Sequence, residues 1–179
     1  MVSVSKKVCL LGSFAVGKTS LVRRFVHDRF DDKYISTIGV KVSRKIVTVP
    51  RQDDVVEVVM MLWDLAGSEE LGALQGSYLR GAAGGLMVCD LTRPDTVGGL
   101  ASYAASLRRA NPNAVMVVAG NKQDLLPTLT ESERQQRAVQ VDAVANELAA
   151  PVLNTSALTG DNVEMAFRRL AELLAAQVT

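Results

Sequence analysis

Residues Gly12 to Thr19 read Gly-Ser-Phe-Ala-Val-Gly-Lys-Thr, which is the spacing G-x-x-x-x-G-K-[ST]. No other stretch limits the possible folds so sharply. Such a loop needs a strand before it and a helix after it, so that backbone N–H groups and the helix N-terminus converge on phosphate oxygens. The apolar run Val8-Cys9-Leu10-Leu11 precedes it, and Leu21, Val22 and Phe25 come after it at helical spacing. Gly12 and Gly17 let the backbone approach a polyphosphate. Lys18 offers a point charge to the β- and γ-phosphates, and the Thr19 hydroxyl suits Mg²⁺. Phe14, Ala15, Val16 and Ser20 complete the stretch expected to touch the nucleotide.

Apolar runs alternate with helical patterns along the chain. Strands are expected at Val4 to Leu11, Lys41 to Val49, Val55 to Trp63, Gly84 to Leu91, Ala114 to Gly120 and Val152 to Asn154. Leu100, Tyr103, Ala104 and Leu107 share one helical face, and Val139, Ala143, Ala145 and Asn146 share another less cleanly. In the last helix Val163, Phe167, Leu170 and Leu174 line the buried side, with Asp161 and Glu164 spaced like a capping box. This alternation implies an α/β fold, a doubly wound and mostly parallel six-stranded sheet. The connection from Pro50 to Asp54 is too short for a helical crossover, so one edge strand should be antiparallel.

Composition removes several function classes. With 20 Lys plus Arg against 19 Asp plus Glu, the net charge of +1 gives no global field to recruit nucleic acid. No run approaches the length of a membrane span, and Met1 to Lys7 lack a signal-peptide apolar block, so a cytoplasmic protein is expected. Within 179 residues no Pro-, Gly- or Ser-rich stretch marks a boundary, which points to one domain. Cys9 and Cys89 each lie inside apolar runs and read as core residues. His27 is the single histidine, which disfavours a histidine metal cluster or triad.

Asn121-Lys122-Gln123-Asp124 selects the base. It comes after Val115-Met116-Val117-Val118-Ala119-Gly120, and ligands in doubly wound sheets sit beyond the carboxyl ends of strands. A carboxylate there can accept from guanine N1–H and the exocyclic amine together, whereas adenine offers no such pair.

With these two motifs the chain resembles the Ras superfamily of small GTPases, in its Rab-like branch, over nearly its whole length. Ser36-Thr37-Ile38-Gly39-Val40 looks like the first switch, Trp63-Asp64-Leu65-Ala66-Gly67-Ser68-Glu69 like the second, and Thr155-Ser156-Ala157 like the loop that closes over guanine. Tyr78-Leu79-Arg80-Gly81-Ala82 is also Rab-like. The resemblance implies the small GTPase fold and GTP or GDP with Mg²⁺ as cofactors. Thr19 and Thr37 would ligate the ion, Asp64 would hold it through water, and the Gly67 N–H would reach the γ-phosphate. Lys18, Thr37, Gly67 and Ser68 would then carry hydrolysis. Asn121 would brace the phosphate loop, Lys122 would pack along the base and Asp124 would read it. Ser156, Ala157 and Leu158 would close the base pocket, with the Ala157 N–H meeting guanine O6. Phe30 matches the aromatic beside the base, and Tyr34 the one covering the phosphates. Effector, exchange factor and GTPase-activating protein would dock through residues 30–42 and 64–80. Trp63 and Tyr78 match two members of a Rab-like effector patch, but Val42 stands where the third aromatic is usual.

Two departures bear on hydrolysis. Ser68 stands where the family usually has the glutamine that orients the attacking water, and a serine is too short to hold water in line. Phe14 replaces a small residue where an activator's arginine would enter, unless its ring folds outward. Slow intrinsic hydrolysis is therefore expected. Leu65 and Leu158 replace the usual Thr and Lys, and the aliphatic body of Leu158 can still cover the base. A GTP-binding scaffold in which hydrolysis is incidental is the rival reading. A nucleotide kinase is disfavoured because no arginine-rich lid is evident. No cysteine lies near Gln177-Val178-Thr179, so no lipid anchor is evident in this chain.

Overall fold

The computed structural model describes residues 2–31, 39–51, 54–65 and 75–178. Six strands form one sheet: β1 (Val2–Leu11), β2 (Val40–Arg51), β3 (Asp54–Leu65), β4 (Ala82–Asp90), β5 (Val115–Asn121) and β6 (Val152–Asn154). Their spatial order is β2-β3-β1-β4-β5-β6. All neighbours are parallel except β2 and β3, an antiparallel hairpin at the edge. The expected topology stands, with a tighter hairpin: pairing continues through Pro50↔Val55 to Arg51↔Asp54.

The helices are α1 (Lys18–His27), α2 (Gln75–Leu79), α3 (Pro94–Gly98), α4 (Leu100–Ala110), α5 (Glu131–Leu148) and α6 (Val163–Ala176), with a 3₁₀ helix over Gln123–Thr128. Strand alternation divides the core into two layers. On β1, Val8 and Leu10 face the layer that contains Phe25 of α1 and Phe167 of α6, while Cys9 and Leu11 face the layer of Leu100 and Leu107 from α4 and Val141 from α5. Phe25 and Phe167 stack with ring centroids 4.1 Å apart, locking α1 to α6. That contact anchors the helix at the end of the phosphate loop.

Two helical expectations need correction. On α5 the buried stripe is Arg137, Val141, Ala145 and Leu148, while Val139 is 70% exposed and Ala143 and Asn146 are also outside. Counting apolar residues misses this face because an arginine occupies one of its places. The Arg137 stem lies in the core, and its Nε donates to the Leu91 carbonyl at 2.9 Å. The second correction concerns α6, which starts at Asn162 in the left-handed region (φ 56°) without a side-chain cap. Asp161 does not cap it: the N-cap position falls on Asn162, the Asp161 carboxylate accepts from Gln123 Nε2 at 3.3 Å, and the Asp161 carbonyl accepts from Ser156 N–H at 3.0 Å. The capping box lies at α5, where Glu133 N–H donates to Thr130 Oγ1 at 3.2 Å and Thr130 N–H to Glu133 Oε2 at 2.8 Å.

Both cysteines are free and fully buried. Burial pushes the Cys9 thiol up to about 11 and the Cys89 thiol up to about 12. Neither is a nucleophile at neutral pH. Native protein should therefore resist iodoacetamide and take up two equivalents only after denaturation, as intact mass would show; rapid native labelling would contradict this packing.

Candidate functional site

Every strand that reaches the site delivers a polar group at its carboxyl end, where an open α/β sheet leaves a crevice. β1 leads into the phosphate loop, β3 ends near Asp64, β4 ends at Asp90, β5 ends at Asn121, and β6 leads into Thr155. Asp64, Asp90, Asn121, Thr155 and Ser156 are all buried, at 0–2% exposure. Buried polar side chains in one place need partners or a ligand.

The phosphate loop wraps tightly against this edge. A Cβ on Gly12 would fall 2.1 Å from the Val88 carbonyl oxygen, and one on Gly17 would fall 2.2 Å from Asn121 Nδ2. Gly17 also has φ 103°, which L side chains rarely adopt. Ala15 lies in the left-handed region (φ 58°), as does Lys122 (φ 65°), so strain concentrates where two site loops meet. Val16 is fully buried beneath the loop, whereas Phe14 projects outward at 50% exposure. Ser20 is half-buried on the first turn of α1.

Lys18 Nζ donates to the carbonyls of Gly12 and Ser13, both at 2.8 Å. Burial pushes this ammonium down to about 8, with Asp64 pulling it back up and Arg93 lowering it further. A positive group held at that cost against the loop carbonyls of Gly12 and Ser13 is placed to meet an anion. Asp64 lies beside it. Thr19 Oγ1 donates to Asp64 Oδ2 at 2.5 Å, while buried Asp64 Oδ1 has no hydrogen-bond partner among the described residues. Burial holds the Asp64 carboxyl above its usual range, opposed by the Thr19 hydrogen bond. An orphaned carboxylate oxygen beside a hydroxyl is a donor set for a hard cation, and Mg²⁺ fits it. Thr19 and Asp64 are the described residues that would hold the ion. Tyr34, Thr37, Gly67 and Ser68 lie outside the described residues.

Across the loop, Asn121 Nδ2 donates to the Val16 carbonyl at 2.9 Å, and its Oδ1 accepts from Thr155 Oγ1 at 3.1 Å and Ala157 N–H at 3.3 Å. Lys122 Nζ donates to the Ala15 carbonyl at 2.9 Å. Asp124 Oδ1 accepts from Ser156 Oγ at 2.6 Å, which ties the segment after β5 to the segment after β6. Ala157 is buried and Leu158 is 47% exposed. Phe30 is partly buried against the layer containing Phe25.

Sequence reasoning missed a second brace. Asp90 sits 2.8 Å from Lys122 Nζ and 3.1 Å from Arg93 Nε, and it accepts from Thr92 N–H and Oγ1. Burial would raise its carboxyl, but the Lys122 and Thr92 hydrogen bonds prevail and hold it below the usual range. Arg93 then donates to the Phe14 carbonyl at 2.7 Å. One buried carboxylate thus aims two cations at the consecutive carbonyls of Phe14 and Ala15. An acidic residue at the carboxyl end of a strand was the available signal.

A sheet that ends in a phosphate loop, a cation-ready carboxylate and a second loop braced against the first defines the class of phosphate-loop nucleotide-binding proteins. The Ras family profile matches residues 7–176. Ras-related protein Rab-4B of Homo sapiens is 37% identical over 169 residues, covering 94% of this chain and 75% of that protein. Ras-related protein Rab-4A of Danio rerio is 36% identical over 166 residues, covering 92% and 74%. The chain belongs to the Ras family, as a Rab-like, GTP-binding small GTPase.

Proposed function

We propose that this chain is a Mg²⁺-dependent switch cycling between GTP and GDP, with slow hydrolysis of its own. The observation that carries the reading is Asp64: a buried carboxylate with one oxygen on Thr19 and the other unpartnered among the described residues, beside a lysine whose charge burial disfavours. Bound Mg²⁺ would supply charge neutralisation between the phosphates, held by Thr19, Asp64 and Thr37. Lys18 neutralises the β- and γ-phosphate oxygens, and the loop N–H groups orient them. Thr37 and the Gly67 N–H report the γ-phosphate, so its loss releases both segments. Asp124 reads the guanine edge, Lys122 packs along it, and Ser156, Ala157, Leu158 and Phe30 close around it. Tyr34 covers the phosphates.

Slow turnover follows from Ser68, whose hydroxyl is too short to hold the attacking water in line. The Phe14 ring projects outward at 50% exposure, which favours the reading in which it leaves an activator's arginine room to enter. Replacing Ser68 with Gln is expected to speed single-turnover GTP hydrolysis about tenfold, and Phe14→Gly is expected to leave the intrinsic rate unchanged. Wild type turning over as fast as Ser68→Gln would remove this part of the reading.

Partners are proposed to read residues 30–42 and 64–80 in the cytoplasm. Among the described residues no helix is long and apolar enough to cross a membrane. Val42, 45% exposed on β2, pairs across the strand with Trp63, whose ring lies under Lys7 Nζ at 3.7 Å. That face carries one aromatic capped by a cation in place of a flat aromatic cluster. Tyr78 is partly buried against the layer containing Leu11.

A further inference from the structure

In a trans peptide the carbonyl of one residue and the N–H of the next share a plane and point in opposite directions. Holding the carbonyl therefore aims the N–H. Three consecutive carbonyls of the phosphate loop are held from the neighbouring strand ends: Phe14 by Arg93 Nη2 at 2.7 Å, Ala15 by Lys122 Nζ at 2.9 Å and Val16 by Asn121 Nδ2 at 2.9 Å. The N–H groups of Ala15, Val16 and Gly17 consequently point away from those three side chains. Among the described residues none of the three donates to another backbone group. Such a row of donors suits an anion.

Lys122 and Asn121 belong to the base-selecting motif, whereas Arg93 belongs to no motif of the sequence. Its place is fixed twice. The main chain closes into a turn, with Arg93 N–H on the Asp90 carbonyl at 2.9 Å and buried Thr96 Oγ1 donating to the Arg93 carbonyl at 2.7 Å. The guanidinium is set by buried Asp90, whose Oδ2 accepts from Arg93 Nε at 3.1 Å. A rigid fork meets that carboxylate with one N–H and the Phe14 carbonyl with another; an ammonium on a flexible stem would not keep both. The plane that Arg93 holds ends at Ala15, whose φ of 58° lies in the left-handed region that L residues rarely keep unsupported. We infer that Arg93 is a positioning residue for phosphate binding: by holding the Phe14 carbonyl it aims the Ala15 N–H at a phosphate oxygen of the nucleotide. The inference rests on the phosphate-binding reading of the loop.

The charge of Arg93 also reaches Lys18, whose ammonium it helps to push down. Geometry and field must therefore be separated. Arg93→Lys keeps the charge without the fork, and guanosine keeps the base and ribose without a phosphate.

With nucleotide-stripped full chain, Arg93→Ala is expected to weaken GDP about tenfold, the scale of one weakened hydrogen bond, and to leave guanosine within about twofold of wild type. A phosphorus-31 resonance of bound GDP should move at the same time. Arg93→Lys should recover only part of the lost affinity. Full recovery by lysine would mean that charge alone acts, which overturns the inference. It is equally overturned by unchanged GDP affinity, by equal losses for GDP and guanosine, or by a GDP loss with unmoved phosphorus resonances. Should the alanine variant fold poorly, Arg93→Lys carries the same comparison against wild type. If wild type binds GDP no tighter than guanosine, the phosphate-binding reading itself falls and this inference falls with it.

Discussion

Replacing Asp124 with alanine is expected to weaken GDP binding by roughly 10²- to 10⁴-fold, since two hydrogen bonds to a charged acceptor contribute about 1.5–3 kcal/mol each. Binding of ADP should barely change, because adenine presents no donor pair to that carboxylate. The discrimination between the two bases should therefore nearly vanish. Loss of the carboxylate also removes the acceptor for Ser156 Oγ, which lies 2.6 Å away. Asp124→Asn separates the two effects: it keeps an acceptor for Ser156 but offers guanine an N–H₂ in place of the second oxygen. Isothermal titration with GDP and ADP would measure both variants. A GDP affinity within threefold of wild type in the alanine variant would remove Asp124 from base recognition.

Asn121→Ala is expected to act first on stability. The side chain is 1% exposed, and its removal strands the Val16 carbonyl, Thr155 Oγ1 and Ala157 N–H at once. Each stranded buried group costs about 1–3 kcal/mol, and because all three share one site a total of about 3–5 kcal/mol is expected. For a chain of 179 residues this lowers Tm by roughly 10 °C. Nucleotide retention should fail together with it, since Asn121 links the phosphate loop to the base loop. Asn121→Asp keeps the acceptor but buries a charge and sets a carboxylate oxygen against the Val16 carbonyl, so its Tm should fall at least as far. Thermal melts without nucleotide would show this order. Equal stability of wild type and Asn121→Ala would mean that the two loops hold their geometry independently.

The parts of the fold that were legible in the sequence are those written in local patterns. Val8 to Leu11 announces a buried strand, Gly12 to Thr19 announces a phosphate loop running into a helix, and the short Pro50 to Asp54 connection permits only a hairpin. The apolar runs around Cys9 and Cys89 placed both in the core, where both lie. The misreadings share a physical cause. Arg137 occupies a place on the buried stripe of α5, and a pattern that counts only apolar residues rotates the helix to put Val139 inside. Asp161 and Glu164 have capping-box spacing, but the Asp161 carboxylate accepts from Gln123 Nε2 and the helix begins one residue later, at the Asn162 N-cap. At the site, the motifs named the groups that would face a ligand. They could not name the contacts that hold such groups from behind, because Arg93 and Phe14 lie far apart in sequence and meet only in the fold. Asp90 was signalled only by its place at the carboxyl end of a strand.

The β2–β3 hairpin has one more consequence. Its ladder runs unbroken from Arg51↔Asp54 at the tip to Val40↔Leu65 at the site end. The chain therefore leaves residue 40 backwards toward the first candidate switch and residue 65 forwards toward the second from two directly paired positions. At the tip, Arg51 Nη1 donates to the Val178 carbonyl beyond α6. The hairpin holds the ends of the two proposed nucleotide-sensing segments side by side. If the proposed switching holds, a partner that grips both segments would measure a separation that the sheet keeps constant, and its choice between nucleotide states would depend on the shape of the segments alone.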